Sequence, residues 1–572
     1  MPSDALAAAL DPAEALAAAQ TDILEGRAGE AVPVLKGLVQ ALGPDNPMPR
    51  YWLAAALKAA GDDAGHAACL REAEDLHALK LVETIGGDVA RMQVDPAYAM
   101  AVGNSFYEHG HVAAASACYA RADAAASPSA PILASLGLSL QHQGRIEEAV
   151  DAFSRAHDAF PDAPQIHSFL LYALFYVEDG VRRHAEQARA WRARYGQPPR
   201  PARYDNRPLE GRRLKLGYVL PSLGQQARPF LLPVLESHDR ERVHTTLYLQ
   251  GSPAGPAPAD KVRVIGGLDD AAAAERIRAD GVDVLVDLWG HTAGGRLGVF
   301  VRKPAPVQVS WLNYVQTTGV PEIDWLIHAD CMDVDGAQDH CAETIWRLGP
   351  VISPFRPDPR PEPTPTPALV AGHVTFGSYN HPARLNDATI AAWAEILKRT
   401  PGSRLALRYR YFVDEVLQNA VLMRFAACGI GPDRIDFFPS EPQPAYYQSY
   451  AGIDIALDPS PCPGGTTSLD AVANGVPVLT LAGPDYFSRI GVAVVGPLGL
   501  DELVAADWDD YVARAVRLAS DLPALDALRR RVREAFDASG RRDEAGFTRR
   551  LEDAYREMFV RWRAGRSQRS AA

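Results

Sequence analysis

Cysteine is scarce in this chain: six in 572 residues, scattered at positions 69, 118, 331, 341, 428 and 462. They form no C-x-x-C pair and no cluster with histidine. That spacing excludes a disulfide-framed secreted domain and a zinc ribbon, and predicts idle or buried thiols in a reducing compartment. Long apolar runs are missing as well. No eighteen consecutive apolar residues occur, so no membrane-crossing helix is expected. Basic charge is in deficit, with 58 Lys and Arg against 71 Asp and Glu and a net charge of −13. This balance argues against a surface built to coat nucleic acid or an anionic bilayer. The opening MPSDALAAALDPAEALAAAQ carries early acids and no basic n-region, unlike a secretory leader. A cytoplasmic protein with no nucleic-acid partner and no membrane insertion is expected.

What is present is length enough for three or four domains, each able to bury a core. Residues 1–195 contain an internal repeat. At a shift of 34, Gly103 meets Gly137, Gly110 meets Gly144, Ala115 meets Ala149, Tyr119 meets Phe153 and Ala122 meets Ala156. A turn glycine, small residues where two helices touch, an aromatic in the second helix and a closing Pro161 resemble the tetratricopeptide repeat. Two weaker copies turn at Gly26, with Ala31 and Leu35, and at Gly61, with Ala73. The step from Gly61 to Gly110 is 49 residues, so about half a repeat is inserted there. Stacked helix pairs form curved grooves that bind extended segments of other proteins, which makes a protein partner the expectation for this part.

After the Pro- and Arg-rich stretch 195–213 the pattern changes to short apolar runs separated by helical segments. LKLGYVL (214–220), HTTLYLQ (244–250), VDVLVDLWG (282–290) and PVQVSWL (306–312) read as strands, with a crossover helix over 270–281. A second proline-rich linker, 353–367, precedes VTFGSYN (374–380), RLALRYR (404–410), RIDFFP (434–439), DIALDP (454–459) and PVLTLA (477–482). Strands alternating with helices predict two doubly wound parallel sheets, with ligands bound beyond the strands' carboxyl ends. The expected divisions are a helical array over 1–195, wound domains over 209–365 and 370–550, and a closing helix and disordered tail over 551–572.

One stretch stands out, LDPSPCPGGTTSLDAVANGVPVLTLAG (457–483). Gly464 and Gly465 let backbone N–H groups approach a ligand, and Thr466 and Thr467 open a helix with hydroxyls available as caps. A helix N-terminus facing a cleft suits a phosphate, and Asp470, about one turn on, suits a ribose hydroxyl. Elsewhere, VDVLVDLWGH ends with Asp287 and His291, an acid and a near-neutral base at a strand end.

These blocks, together with DVLVDLWGHTAGGRLGVFVRKPAPVQVSWLNYVQTTGVPEID (283–324) and FGSYNHPARLNDATIAAWAEIL (376–397), resemble the O-linked N-acetylglucosamine transferases and their SPINDLY-like relatives, glycosyltransferase family 41. The resemblance implies an α/β GT-B fold behind a tetratricopeptide array, and metal-independent transfer from a nucleotide sugar to Ser or Thr of a protein. It implies no cofactor beyond the donor itself. It places the donor on Asn380, Tyr446, Gly464, Gly465, Thr466, Thr467 and Asp470. It makes His291, Asp287 and Arg384 the catalytic group, and Gln226, Arg228, Thr317 and Thr318 a sugar or acceptor pocket.

Four positions depart from the family pattern, one of them Pro463, where an Asn usually precedes Gly-Gly-Thr-Thr. Gln226 stands where a His is usual, Arg384 where a Lys steadies the diphosphate, and Tyr446 where a His sits near the base. Gln cannot take a proton at neutral pH, while Arg adds a flat fork suited to phosphate or carboxylate. Bacterial relatives of this domain order glycosylate flagellin with nonulosonic acids such as pseudaminic acid. The resemblance therefore implies a CMP-nonulosonate donor with flagellin as acceptor, with UDP-N-acetylglucosamine, or an inactive binding scaffold, as the alternatives.

Overall fold

The computed structural model describes residues 11–43, 46–125, 129–196, 204–224, 227–253, 255, 257–332, 334–359, 362 and 364–571, the side chains of 566–571 excepted. Eleven α-helices run from Pro12–Leu24 to Gly180–Tyr195. The repeat seen in the sequence has a steric cause. Gly26, Gly61, Gly110 and Gly144 each follow the first helix of a pair with φ between +83° and +89°, a conformation that disfavours any side chain. A Cβ on Gly103 would lie 2.6 Å from the Tyr119 ring, and one on Gly137 would lie 2.5 Å from the Phe153 ring. Glycine and aromatic therefore recur together because each ring packs on the opposite backbone. The half-repeat insertion is a long helix, Asp63–Thr84, followed by the short Val89–Val94.

The first wound domain holds a seven-stranded parallel sheet in the order β3-β2-β1-β4-β5-β6-β7. Its strands are β1 (Leu214–Leu220), β2 (Val243–Leu249), β3 (Lys261–Val264), β4 (Val284–Asp287), β5 (Val307–Ser310), β6 (Trp325–His328) and β7 (Thr344–Arg347). The second holds six parallel strands in the order β10-β9-β8-β11-β12-β13. These are β8 (Thr375–Ser378), β9 (Arg404–Arg408), β10 (Ile435–Phe438), β11 (Ile455–Leu457), β12 (Val478–Leu481) and β13 (Val504–Ala505). Strands β3, β6, β7 and β13 had no counterpart in the sequence reading. They are four residues or fewer, and β3 and β7 are half exposed, so none makes an apolar run. In both sheets the order reverses between the first and fourth strands, β1 with β4 and β8 with β11. The crevices that hold ligands open at those points.

Two features join the parts. Phe547, Leu551, Tyr555 and Phe559 of the final helix, Glu544–Ala571, bury against the first sheet, so the chain crosses back after the second domain. That helix starts before residue 551, where a boundary was expected. Asp543 accepts from Gly546 N at 2.9 Å and fixes the start, and the helix continues through Ala571, where a disordered tail was expected. The array is also not an appendage. Tyr51, Trp52 and Ala73 share one core with Trp393, Phe412 and Val416 of the second domain, and Asp414 accepts from Ala113 N at 2.7 Å. Among the described residues no helix is long and apolar enough to cross a membrane.

Candidate active site

A cavity of about 970 Å³ opens where the two wound domains and the array meet. Trp289 and Asn313 come from the first domain, Arg384, Thr466 and Asp470 from the second, and Tyr172 and Tyr176 from the array.

The glycine loop folds around a carboxylate that the sequence reading overlooked. Asp458, just beyond β11, accepts from Gly464 N at 2.6 Å, Ser468 Oγ at 3.1 Å and Thr480 Oγ1 at 3.0 Å. Burial pushes its carboxyl up to about 6 against these stabilising bonds. A Cβ on Gly464 would clash with Ser468 and lie 2.8 Å from Asn380 Oδ1 and 2.9 Å from Asp458 Oδ1, so only glycine fits. Gly465 is the N-cap of the helix Thr466–Ala473, at φ −103° and ψ −85°, and no side chain bonds that helix end. Thr466 and Thr467 are thus the first helical residues and not caps. The Thr467 hydroxyl donates to Asn380 Oδ1 at 2.8 Å, tying the helix to the end of β8. The outcome is a rigid helix N-terminus, its partial positive charge uncapped, facing the cavity.

Arg384 reaches the same loop from a 3-10 turn, Pro382–Arg384. Its guanidinium donates to the Pro463 carbonyl and to the Cys462 carbonyl at 3.4 Å, while its buried Nε has no partner. Asp470 is buried and pushed up to about 7 by burial, opposed by hydrogen bonds from Tyr446 and Tyr447. Oδ2 accepts from Tyr446 at 3.1 Å, whereas Oδ1 is buried without a partner. Tyr446 also bonds Tyr450 at 3.1 Å. Charge, dipole and a carboxylate with one unpartnered oxygen therefore converge on residues of one cavity.

Comparison with known proteins gives the family. The sequence pattern of glycosyl transferase family 41 matches residues 198–343 and 367–550. The chain belongs to that family. It is 33% identical over 430 residues to the probable UDP-N-acetylglucosamine–peptide N-acetylglucosaminyltransferase SPINDLY of Oryza sativa subsp. japonica, a match covering 72% of this chain and 46% of that protein. It is 26% identical over 439 residues to the corresponding probable transferase SEC of Arabidopsis thaliana, covering 69% and 43%. The chain spans about half the length of the curated relatives it matches. The solved O-GlcNAc transferase of Thermobaculum terrenum, a point variant, superposes with a TM-score of 0.75 at 29% identity, covering 97% of this chain and 99% of that one.

The family resemblance also placed residues in the first domain, and there the geometry corrects the expectations. Asp287 is buried, with Oδ1 accepting from Trp289 N at 3.3 Å and Oδ2 from Gly290 N at 3.0 Å. It fixes the turn after β4 and is not among the residues lining the cavity. His291 borders the cavity, yet Nε2 lies 2.9 Å from the Thr318 carbonyl and Nδ1 3.1 Å from Ser168 Oγ. The carbonyl must receive the Nε2 proton, so Nδ1 accepts from the serine and neither nitrogen is open to a substrate hydroxyl. Burial lowers its pKa to about 3. A general-base role does not fit this geometry. Thr317 and Thr318 face inward: both hydroxyls and Thr318 N donate to Glu343, at 2.5 Å from Thr317 Oγ1 and 2.8 Å from Thr318 N. They close a turn and do not line the cavity. Arg228 opens the helix Arg228–Ser237 as an exposed residue outside the cavity lining. Gln226 lies outside the described residues.

Other lining residues carried no signal at all. Arg541 is 1% exposed, donates to the Ser353 carbonyl at 3.2 Å and to the Ala493 carbonyl, and has an unpartnered Nε. Burial lowers its pKa to about 10. It lies between the helices Leu522–Ala538 and Glu544–Ala571, in a stretch rich in charge of both signs. His142, Tyr172 and Tyr176 belong to the array, for which a protein partner was the expectation. Among the described residues no cluster of three or more His, Cys, Asp or Glu side chains is placed to hold a metal ion.

Proposed function

We propose that this chain is a protein O-glycosyltransferase, moving a sugar from a nucleotide-sugar donor to Ser or Thr hydroxyls. The observation that carries the reading is that an uncapped helix end, the buried Arg384 guanidinium and Asp470, whose Oδ1 has no protein partner, all line one cavity. Helix end and guanidinium match a phosphate, and the carboxylate matches a ribose hydroxyl. When the sugar leaves, negative charge grows on the departing phosphate, and both groups are already in position to stabilise it. The relatives' names favour UDP-N-acetylglucosamine as donor.

A second donor reading, a CMP-linked nonulosonic acid transferred to flagellin, is favoured by one feature. Arg384 and Arg541 both line the cavity, and neither has an ion-paired carboxylate among the described residues. Two such cations suit a donor bearing a carboxylate as well as a phosphate. Thermal unfolding of the whole chain with UDP, UDP-N-acetylglucosamine, CMP and CMP-nonulosonate, paired with sugar incorporation into protein, separates the readings. A ligand present at 100 times its Kd stabilises by about 2.7 kcal/mol. A uridine-selective shift supports the first donor and a cytidine-selective shift the second. No shift with any of the four, and no incorporation, overturns the function.

A further inference from the structure

We propose that Tyr172 and Tyr176, carried by the helical array, complete the donor's phosphate site; the inference rests on the cavity being a nucleotide-sugar site. Helix Pro164–Ala173 runs into a 3-10 turn, Leu174–Tyr176, that sets the two rings 6.1 Å apart, edge to face. Both line the same cavity as Arg384 and Thr466, on the part of its wall that the array supplies. Tyr176 also stacks on the His381 ring at 6.5 Å and 28°. Nδ1 of His381 accepts from Ala383 N at 2.9 Å and caps the turn that bears Arg384. Its Nε2 lies 2.8 Å from His142 Nδ1, and His142 Nε2 lies 2.8 Å from the Tyr107 hydroxyl, so array side chains hold that turn in place.

The two phenols are suited to donate. Burial raises both above the ordinary tyrosine range, strongly for Tyr176, so they stay protonated at physiological pH. The positive charge of Arg384 acts on both hydroxyls in the opposite direction. A protonated hydroxyl beside a guanidinium with an unpartnered Nε makes a composite anion site, with donors from the array and the second domain. A phosphate held there touches the second domain and the array together. The array then takes part in donor binding as well as in meeting an acceptor.

The test uses the full chain carrying Tyr172→Phe and Tyr176→Phe, which keep both rings and remove only the hydroxyls. Calorimetric titration compares UDP with uridine and CMP with cytidine, and Tm reports the fold. The expected result is a nucleotide Kd weakened about tenfold, the scale of one hydrogen bond to a charged group, with nucleoside Kd unchanged. An unchanged nucleotide Kd, or equal losses for nucleotide and nucleoside, overturns the inference while leaving the proposed function standing. Wild-type protein that binds neither nucleotide overturns both. Should the double variant fail to fold, Tyr172→Phe alone, at the half-buried position, is judged by the same criteria.

Discussion

The two wound domains begin alike and end differently. In each, the strand order reverses between the first and fourth strands, and the fourth strand brings an aspartate to its carboxyl end: Asp287 as the last residue of β4, Asp458 just after β11. Asp287 accepts from two backbone N–H groups, and Asp458 from one backbone N–H and two hydroxyls. In the first domain the polar groups of the motif are engaged within the protein, because His291 bonds Thr318 and Ser168, and both threonines bond Glu343. In the second, Asp458 absorbs the glycine loop and leaves other atoms open. These are the helix end at Gly465, Nε of Arg384 and Oδ1 of Asp470. A strand-end acid followed by a histidine therefore does not mark a reaction centre by its residue types. Unpartnered polar atoms on residues that line the cavity, as at Arg384 and Asp470, are the better guide, since such a group is costly unless a ligand repays it.

The largest effect that would break this contrast is at Arg384. Arg384→Ala is expected to lower transfer by about 10²-fold or more, the scale for losing one preorganised donor at a developing negative charge. Arg384→Lys, which keeps the charge and loses the fork, should recover part of that loss. Steady-state kcat/KM for both, beside the nucleotide Kd, measures it. Alanine activity equal to wild type would remove the second domain's claim to the phosphate.

Much of the fold was legible because sterics write it into residue types. The 34-residue recurrence of glycine with an aromatic reports ring-on-backbone packing at Gly103 with Tyr119 and at Gly137 with Phe153. The buried strands show as apolar runs because parallel sheets are covered on both faces. The glycine loop was legible for the same steric reason, since Gly464 tolerates no Cβ. What sequence hid was the direction of polar side chains. Nothing in QTTG says that its hydroxyls turn inward to Glu343, 25 residues further on. Nothing in a stretch rich in charge of both signs marks Arg541 as buried. The array's share of the cavity depends on how separate elements dock, and the local pattern of an amphipathic helix does not encode that.

A subtler comparison lies between two aspartates. Burial pushes both Asp287 and Asp470 up to about 7. With an unfolded value of about 4, the folded chain takes up protons at both sites between pH ~4 and ~7. Each site's contribution to stability is therefore full below about pH 4 and lost as pH rises through 7. Asp287→Asn and Asp470→Asn should each flatten that slope in pH-resolved unfolding. Ligand binding separates them. A ribose hydroxyl donating to Oδ1 of Asp470 favours the ionised carboxyl, so nucleotide binding should release a proton and strengthen as pH rises through about 7. Titration with uridine or cytidine, which lack the phosphate that would itself titrate at about pH 6, should show this slope across pH 5.5–8.5 in wild type and in Asp287→Asn, and none in Asp470→Asn. A slope that survives in Asp470→Asn would move the hydroxyl contact elsewhere.

The smallest effect on catalysis is expected where the motif first suggested the largest. His291 is neutral at physiological pH, with a pKa lowered to about 3 by burial, and both of its nitrogens are engaged within the protein. A general base lost by mutation costs about 10²- to 10⁴-fold in rate. His291→Asn should instead change kcat by less than about tenfold and leave the pH–rate profile without a missing limb near 6.5. Its cost should appear in stability, at about 1–3 kcal/mol, because Ser168 or the Thr318 carbonyl loses a buried partner. The two readouts answer different questions about one side chain. A large fall in kcat with stability intact would mean that the Thr318 and Ser168 bonds open when substrate binds, and the first domain would regain a share of the chemistry. A fall in stability with kcat nearly unchanged would confine His291 to holding the array helix that carries Ser168 against the first domain.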